Sequence, residues 1–592
     1  MRKLSVVLFI LSCGIAVSSA GEGKKKQEIR LDRVKIAAVV HGDEFLAKVR
    51  YEVKPFHGQS TLATGPGVKL MESFFDYGSN GGVLTNLHDY GDGTLAVGRM
   101  GAASPDLIDR GTYFSFFDGT TWSPMAKVEQ GRRGWSSIAA LHDGRSVAVS
   151  QSGNEVNVDS AKGAGVWGSY LTNGATSAAV QWPRFVIDGQ DNIIICSTTN
   201  ATINGVTFIK QVNVSRDRGQ TWQHAFLWPD TTARKPAFSA DDQAIDAFGD
   251  NVAIAVCEVG GDIHLWTSAD NGATWAYKNV TNHPHTLPPG TEALRGAGTV
   301  EVLYDGAGNL HLFWENYLAR PGSGGEGLDL YESTEDPILH WSAATGISPV
   351  ARFSQISGAE DDSLVFVAGG SFDQINADGA LLKQPQAGVD AEGNLYLMFA
   401  AFRPNDLDIE SAHFTDLYAV GSKDGGKTWG VAVNVTNTPQ SEDLWASLAD
   451  QVGDSLRFLY QSDGNTGNNF IGGGAAPTTF LYHAYARSNI PLGAAAINTR
   501  TGEVPTIFAL EQNYPNPFNP STAIAFSLPT NVNVTLEVYS LLGQKVATLV
   551  DSKLAAGNHT FTWNAQNAPS GLYFYRLEAK GFSQIRKMLL LQ

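Results

Sequence analysis

The string SRDRGQTW at Ser215–Trp222 returns as SADNGATW at Ser268–Trp275 and as SKDGGKTW at Ser422–Trp429. The shared pattern is Ser-x-Asp-x-Gly-x-Thr-Trp. A string this long, kept three times, marks a chain built from repeated units. Its chemistry is that of a hairpin turn. Gly219, Gly272 and Gly426 take positive φ at little cost. Asp217, Asp270 and Asp424 accept hydrogen bonds from backbone N–H groups and fix the turn, with Ser215, Ser268 and Ser422 opening it. Trp222, Trp275 and Trp429 start the return strand and offer a large apolar face for burial. These twelve residues read as structural.

A looser pattern fills in the remaining units: an apolar stretch, an Asp, a short Gly/Asn turn, then an alternating apolar strand. It occurs at Asp89, Asp143, Asp188, Asp246, Asp305, Asp390 and Asp450, spaced by 54, 45, 58, 59, 85 and 60 residues. Turn residues between alternating runs indicate β-hairpins. A second strand pair follows each. After Asp188, Asp246 and Asp390 it carries the eight-residue turn. After Asp89 and Asp305 it carries the eroded forms FFDGTTW (Phe116–Trp122) and STEDPILHW (Ser333–Trp341). One unit is thus about four strands, the size of a propeller blade. The expected fold is all-β: a β-propeller of seven blades, or six if an end unit is not a blade, over residues 35–500. The long fifth interval holds an insertion near Glu315–Lys383.

The ends read differently. Residues 1–20 have the form of a secretory signal: Arg2 and Lys3, the apolar run Leu4–Val17, then Ser18-Ser19-Ala20. Cys13 after Ile10-Leu11-Ser12 offers a fainter lipoprotein alternative. Residues 21–34 read as a flexible lead, and no later run is apolar enough to span a bilayer. The net charge of −17, about −19 without Arg2 and Lys3, argues against nucleic acid as a partner. Cys196 and Cys257 lie in strands of neighbouring units and read as buried thiols or a bridge between blades. No Cys/His spacing suits a metal; His283 and His285 sit in a Pro-rich loop. No cofactor is implied.

After Thr501 the composition shifts to short strands between Gly, Asn and Pro turns, which suggests a small Ig-like β-sandwich over residues 501–592. This segment resembles the type A C-terminal sorting domain of the type IX secretion system of Bacteroidetes-related bacteria. The residues that carry the resemblance are Tyr514-Pro515-Asn516-Pro517-Phe518-Asn519-Pro520, Leu542-Gly543-Gln544-Lys545-Val546, Ser570-Gly571-Leu572-Tyr573 and Lys587-Met588-Leu589-Leu590. It implies that residues 508–592 engage the secretion machinery, and that the cargo ends outside the cell or on its outer surface, with the domain kept or removed.

The eight-residue turn itself resembles the Asp-box, or BNR repeat, of sialidases and many other secreted propellers. A sialidase-type site would need three Arg to clamp a carboxylate, a Tyr–Glu nucleophile pair and an Asp acid/base. The family's Phe/Tyr-Arg-Ile/Leu-Pro motif is missing; Trp182-Pro183-Arg184-Phe185 and Phe402-Arg403-Pro404 hold similar letters in another order or place.

In a four-strand blade, the Asp turn and the eight-residue turn share one face. Function is expected on the other, among the second-to-third-strand loops and the links between blades. Its inner-strand starts carry Arg133, Trp135, Trp182, Arg184, Asp241, Asp242, Arg295, Asp443 and Trp445. Longer loops add Arg99, Glu155, Glu315, Arg320, Glu326, Arg403, Asp406 and Asp408. Arg133, Trp135, Trp182, Arg184, Arg295, Arg403 and Trp445 are the ligand-binding candidates, suited to a sugar's face and hydroxyls. Asp242, Asp443, Glu315 and Asp408 are the carboxylates from which a hydrolytic pair would come. Each has a plain structural alternative: a salt bridge or turn cap for the charged groups, blade core for the Trp. Gly322–Gly327 and Gly464–Gly474 read as loop covers without a phosphate-binding pattern. Three readings follow: a glycan- or polymer-binding propeller, a diverged sialidase-like hydrolase, or an adhesive surface protein.

Overall fold

A computed structural model describes residues 66–75, 78–79, 82–151, 154–172, 180–199, 202–229, 236, 238–239, 241–284, 287–288, 291–321, 328–331, 336–356, 381–407, 413–453, 455–464, 479–487 and 490. It also describes residues 509–590 except 511–512, 514–515, 517, 519, 529, 542, 555–556, 567 and 581. The expected signal, the flexible lead, the start of the propeller at residue 35, His285, Glu326, Asp408, the loop Gly322–Gly327 and all but Gly464 of the loop Gly464–Gly474 lie outside these residues.

Seven sheets, five of four strands and two of five, follow one another, and in each a path of four antiparallel strands runs from the inside to the outside. Their inner strands are Leu87–Asp89, Ser137–Ala140, Val180–Ile187, Gln243–Phe248, Ala293–Tyr304, Leu382–Asp390 and Glu442–Leu448. They define blades 1 to 7 of a propeller. Blade 7 is composite: its outer strand is Val68–Ser73, paired antiparallel with Thr479–Arg487. Both ends of the propeller chain therefore meet in one sheet, which closes the ring.

The eight-residue turn has the same bonds in blades 3, 4 and 6. In blade 4, Asp270 Oδ1 accepts from Ser268 Oγ (2.7 Å) and Thr274 N (2.8 Å), and Asp270 Oδ2 accepts from Thr274 Oγ1 (2.6 Å). Gly272 N donates to Ser268 Oγ (2.9 Å). Gly426 is the tightest case: its φ is +83°, and a Cβ there would meet the His340 ring at 2.2 Å. The two turn types do share a face, since Arg218 of the blade 3 turn reaches Asp143 (3.1 Å) and Asp191 (2.9 Å) in the Asp turns of blades 2 and 3.

Two expectations need correction. STEDPILHW is not the outer turn of blade 5: Trp341 lies inside the third strand, Pro337–Ser342, and the chain turns at Ser342–Gly346. There Gly346 supplies the positive φ that STEDPILHW, lacking Gly, could not. Asp246 is not a turn residue either. It stays in the inner strand, where Oδ2 accepts from Tyr304 N of blade 5 (2.6 Å), while the hairpin turns at Gly249-Asp250.

The C-terminal segment forms a three-stranded and a four-stranded sheet around one apolar core that includes Phe526, Leu536, Trp563, Tyr575 and Met588. Its Asn/Pro-rich start is pinned to its last strand: Leu589 N donates to Asn516 Oδ1 (2.8 Å), and Phe518 N to Leu589 O (3.0 Å). The first and last motifs of the module thus depend on each other. Cys196 and Cys257 are both buried and free. No helix among the described residues is long and apolar enough to cross a membrane.

Replacing Asp270 by Ala removes three hydrogen bonds from a turn far from the loop face. We expect a loss of about 1–3 kcal/mol in propeller stability, read by chemical denaturation, with ligand retention unchanged.

Candidate functional site

The loop face is built from the starts of the inner strands, and there the backbone is irregular. Register shifts interrupt the inner strands at Gln181/Arg184, Gly296/Val300, Lys383/Gln386 and Leu444/Ser447. Positive φ falls at Trp182, Gly298, Gln384 and Trp445, and at Trp135 just before blade 2. A bulge turns backbone groups sideways, and here they bond the next blade. Trp182 O accepts from Gln243 Nε2 (2.6 Å), Trp445 N donates to Gln384 Oε1 (3.0 Å), and Trp445 O accepts from Arg99 Nη1 (2.9 Å). Non-Gly residues at positive φ persist only where surroundings over-determine them. Burial of the indoles supplies that: Trp135, Trp182 and Trp445 are all buried. All three belong to one buried apolar cluster.

The predicted charged residues are engaged with the protein itself. Arg184 pairs with Asp241 (2.8 Å) and donates to Gly82 O (2.7 Å) and Ser79 Oγ (3.2 Å); Ser79 Oγ in turn donates to Asp241 Oδ2 (2.6 Å). Asp242 is fully buried against Lys210 (2.5 Å) and accepts from Ser239 N (2.7 Å). Arg133 pairs with Glu155 (2.6 Å). Arg295 donates to Leu294 O (3.1 Å) and Pro284 O (2.9 Å). Arg403 faces Asp416 (3.1 Å) and Asp406 (3.5 Å), and Arg320 pairs with Glu292 (2.7 Å).

The structure brings Arg184 and Asp241 together, but around a segment of the chain. Residues 78–79 and 82–86, which lead from blade 7 to blade 1, touch blades 3, 4, 5 and 7. Besides Ser79 and Gly82, a Cβ on Gly78 would meet the Trp445 ring at 2.5 Å, and one on Gly82 would meet Val300 O at 3.3 Å. Ser79, Val83 and Leu84 are buried. This segment therefore lies against the inner-strand starts of several blades.

Glu315 and Asp443 are fully buried and held by different neighbours. Glu315 Oε1 accepts from Gln384 N, bridging blades 5 and 6. Burial pushes Glu315 up to about 7, against hydrogen bonds from Thr299 and Gln384 and the charge of Lys383. Burial also pushes Asp443 up to about 7, opposed by its bond from Ser462 Oγ (2.5 Å) and assisted by the charge of Asp416. Glu315 is held between blades 5 and 6 and Asp443 within blade 7, and Asp408 lies outside the described residues. Among the described residues, no group of three or more His, Cys, Asp or Glu is placed to hold a metal ion.

Sequence reasoning missed two features. Asp246, Glu301 and Asp450, from blades 4, 5 and 7, are all pushed up, mainly by burial, which takes Asp246 to about 8 with help from the Asp450 charge; the charges of Asp450 and Asp246 also raise Glu301. The second feature is a repeated clip. Asn279–Pro284 (NVTNHP) and Asn434–Pro439 (NVTNTP) both wrap a carboxylate. Asp262 accepts from Asn279 Nδ2, Thr281 Oγ1 and His283 N; Asp416 accepts from Asn434 Nδ2, Thr436 Oγ1 and Thr438 N. The six-residue repeat was visible in the sequence and would have located both clips.

Residues 512–591 match the secretion system C-terminal sorting domain family. The chain carries a sorting domain for secretion. No curated protein matches the chain. Solved structures that resemble it include a polysaccharide lyase family 25 ulvan lyase bound to -[GlcA(1-4)Rha3S]-, at 11% identity and TM-score 0.44, covering 71% of this chain and 96% of that one. A protein of unknown function from Dyadobacter fermentans is 13% identical (TM-score 0.34; 60% and 97% covered). An α-L-arabinofuranosidase from Fusarium graminearum is 11% identical (TM-score 0.32; 67% and 97% covered). Likenesses this distant bear on neither ligand nor reaction.

Two outcomes follow from the buried charges. Asp242→Asn leaves Lys210 buried without its counter-charge and should cost about 3–5 kcal/mol in denaturation. Glu315 and Asp443 titrate higher folded than unfolded. Their contribution to stability is therefore complete below the unfolded carboxylate range and lost as pH rises toward about 7. In melting curves from pH 4 to 8, Glu315→Gln and Asp443→Asn should each flatten that decline relative to the parent; an unchanged slope would contradict the assignment.

Proposed function

We propose that this protein is exported by the type IX pathway of a Bacteroidetes-type bacterium, and that its Asp-box propeller binds an extracellular polymer of the glycan class without cleaving it. The observation that carries this reading is the segment lying against the inner-strand starts. Arg184 and Asp241 hold it through Ser79 and Gly82, so in this reading a ligand meets the surrounding loops instead of an acid/base pair at the axis. Those loops are raised on one side. Blade 5 has inner and second strands of 12 residues each, and the second strand of blade 6 has 13, beyond the common strand length. Function tends to sit on such extensions. Export by the sorting domain brings this face to where polysaccharides are encountered.

Purified propeller run through polysaccharide-containing gels tests the reading. Retardation by at least one polymer, with no new reducing ends or unsaturated products after prolonged incubation, is expected. Turnover that disappears in Asp443→Asn or Glu315→Gln would instead favour the hydrolase reading.

A further inference from the structure

Corresponding positions in four blades can be aligned by one backbone bond, made just beyond the outer strand. Val128 N donates to Thr112 O, Leu227 N to Lys210 O, Val280 N to Ile263 O and Val435 N to Leu417 O, at 2.8–3.0 Å. The next residue then faces the same task in each blade. In blade 1, Glu129 accepts from Thr112 N (2.9 Å). In blade 4, Thr281 Oγ1 accepts from Ile263 N (3.0 Å). In blade 6, Thr436 Oγ1 accepts from Leu417 N (3.0 Å). Three blades thus use this side chain to bond a backbone N–H of the third strand. Blade 3 has Trp228 there. An indole offers no acceptor, so Trp228 cannot perform the task.

Trp228 is also the exception among the tryptophans. All 13 lie in described residues, and it alone is exposed, at 42%. Its backbone is fixed, since Trp266 Nε1 donates to Trp228 O (3.2 Å). Its ring leans on Phe226, with centroids 5.9 Å apart. A rigid indole with an open surface stands on the loop face, where its relatives in other blades are polar caps.

We propose that Trp228 is a stacking platform for a neutral pyranose ring, a proposal that rests on the glycan-binding reading above. The exposed area, about 100 Å² of indole, is far below the roughly 800 Å² per partner of a stable protein interface. It does match one sugar ring, whose C–H face packs on an aromatic surface while its hydroxyls stay in water. The chain's net charge of −17 repels carboxylated and sulfated polymers, which favours a neutral one.

The test uses the full chain with Trp228→Ala and Trp228→Phe, in gels containing a β-glucan, a xylan, a mannan or alginate. Parent protein should be retarded by a neutral polymer and not by alginate. Trp228→Ala should weaken that retardation about ten-fold, and Trp228→Phe by less than about three-fold. Independently, iodide should quench a fluorescence component that is absent in Trp228→Phe, and the neutral polymer should protect it in the parent. This second readout decides the matter should Trp228→Ala fold poorly. Retardation equal in parent and variants, without protection from iodide, overturns the platform and leaves the glycan reading standing. Retardation by alginate alone overturns the neutral ligand. No retardation of the parent by any polymer overturns both.

Discussion

The ring has to close, and it does so by pairing Val68–Ser73 with Thr479–Arg487. Everything on the loop face follows from this constraint. The described residues begin at the outside of blade 7 but must next supply the innermost strand of blade 1. The connection therefore runs from the rim to the axis. Polar groups at the axis would otherwise be buried without partners, which is costly. Arg184 Nη2 donates to Gly82 O, and Ser79 Oγ to Asp241 Oδ2, from this connection. Gly78 permits the close approach to Trp445.

Blade-to-blade contact is made by a circuit of hydrogen bonds near the inner-strand starts, and every interface has at least one. Asn86 Nδ2 bonds Ser136 O between blades 1 and 2, Gln151 Nε2 bonds Gln181 Oε1 between 2 and 3, and Gln243 Nε2 bonds Trp182 O between 3 and 4. Gly260 N bonds Gly296 O between blades 4 and 5, and Gln384 N bonds Glu315 between 5 and 6. Trp445 N bonds Gln384 between 6 and 7, and Arg99 bonds Trp445 O from blade 1. Buried Gln, Asn and Arg here act in pairs, and the bulges supply the sideways backbone groups they need. Glu315, Trp182, Trp445 and Arg99, which the sequence places among the loop-face candidates, take part in these contacts between blades.

The architecture was legible because it is carried by local turn chemistry. Asp and Gly at fixed offsets declare a hairpin whatever surrounds them, and the seven Asp positions mark seven sheets. Errors arose where local letters matched without the needed conformation, as at Ser333–Trp341 and Asp246. The site was far less legible. Whether Trp445 or Trp228 is exposed depends on which backbone crosses in front of it, and that is decided by ring closure over hundreds of residues. Asp242 and Asp443 illustrate the same limit, since their neighbours Lys210 and Ser462 are remote in sequence or on another strand. The paired NVTNHP and NVTNTP strings were readable and show that loop-face repeats deserve the same search as turns.

Secretion is fixed by the C-terminal module, while the propeller's role rests on the segment that lies against its inner-strand starts. Hydrogen–deuterium exchange of peptides covering residues 78–86 tests that contact most directly. A plug docked on Arg184, Asp241 and Trp445 should be protected about as strongly as the inner strands of blades 3 and 4. Exchange at the rate of an exposed loop would mean that the funnel is open, and would return its acids and Arg side chains to the list of ligand contacts.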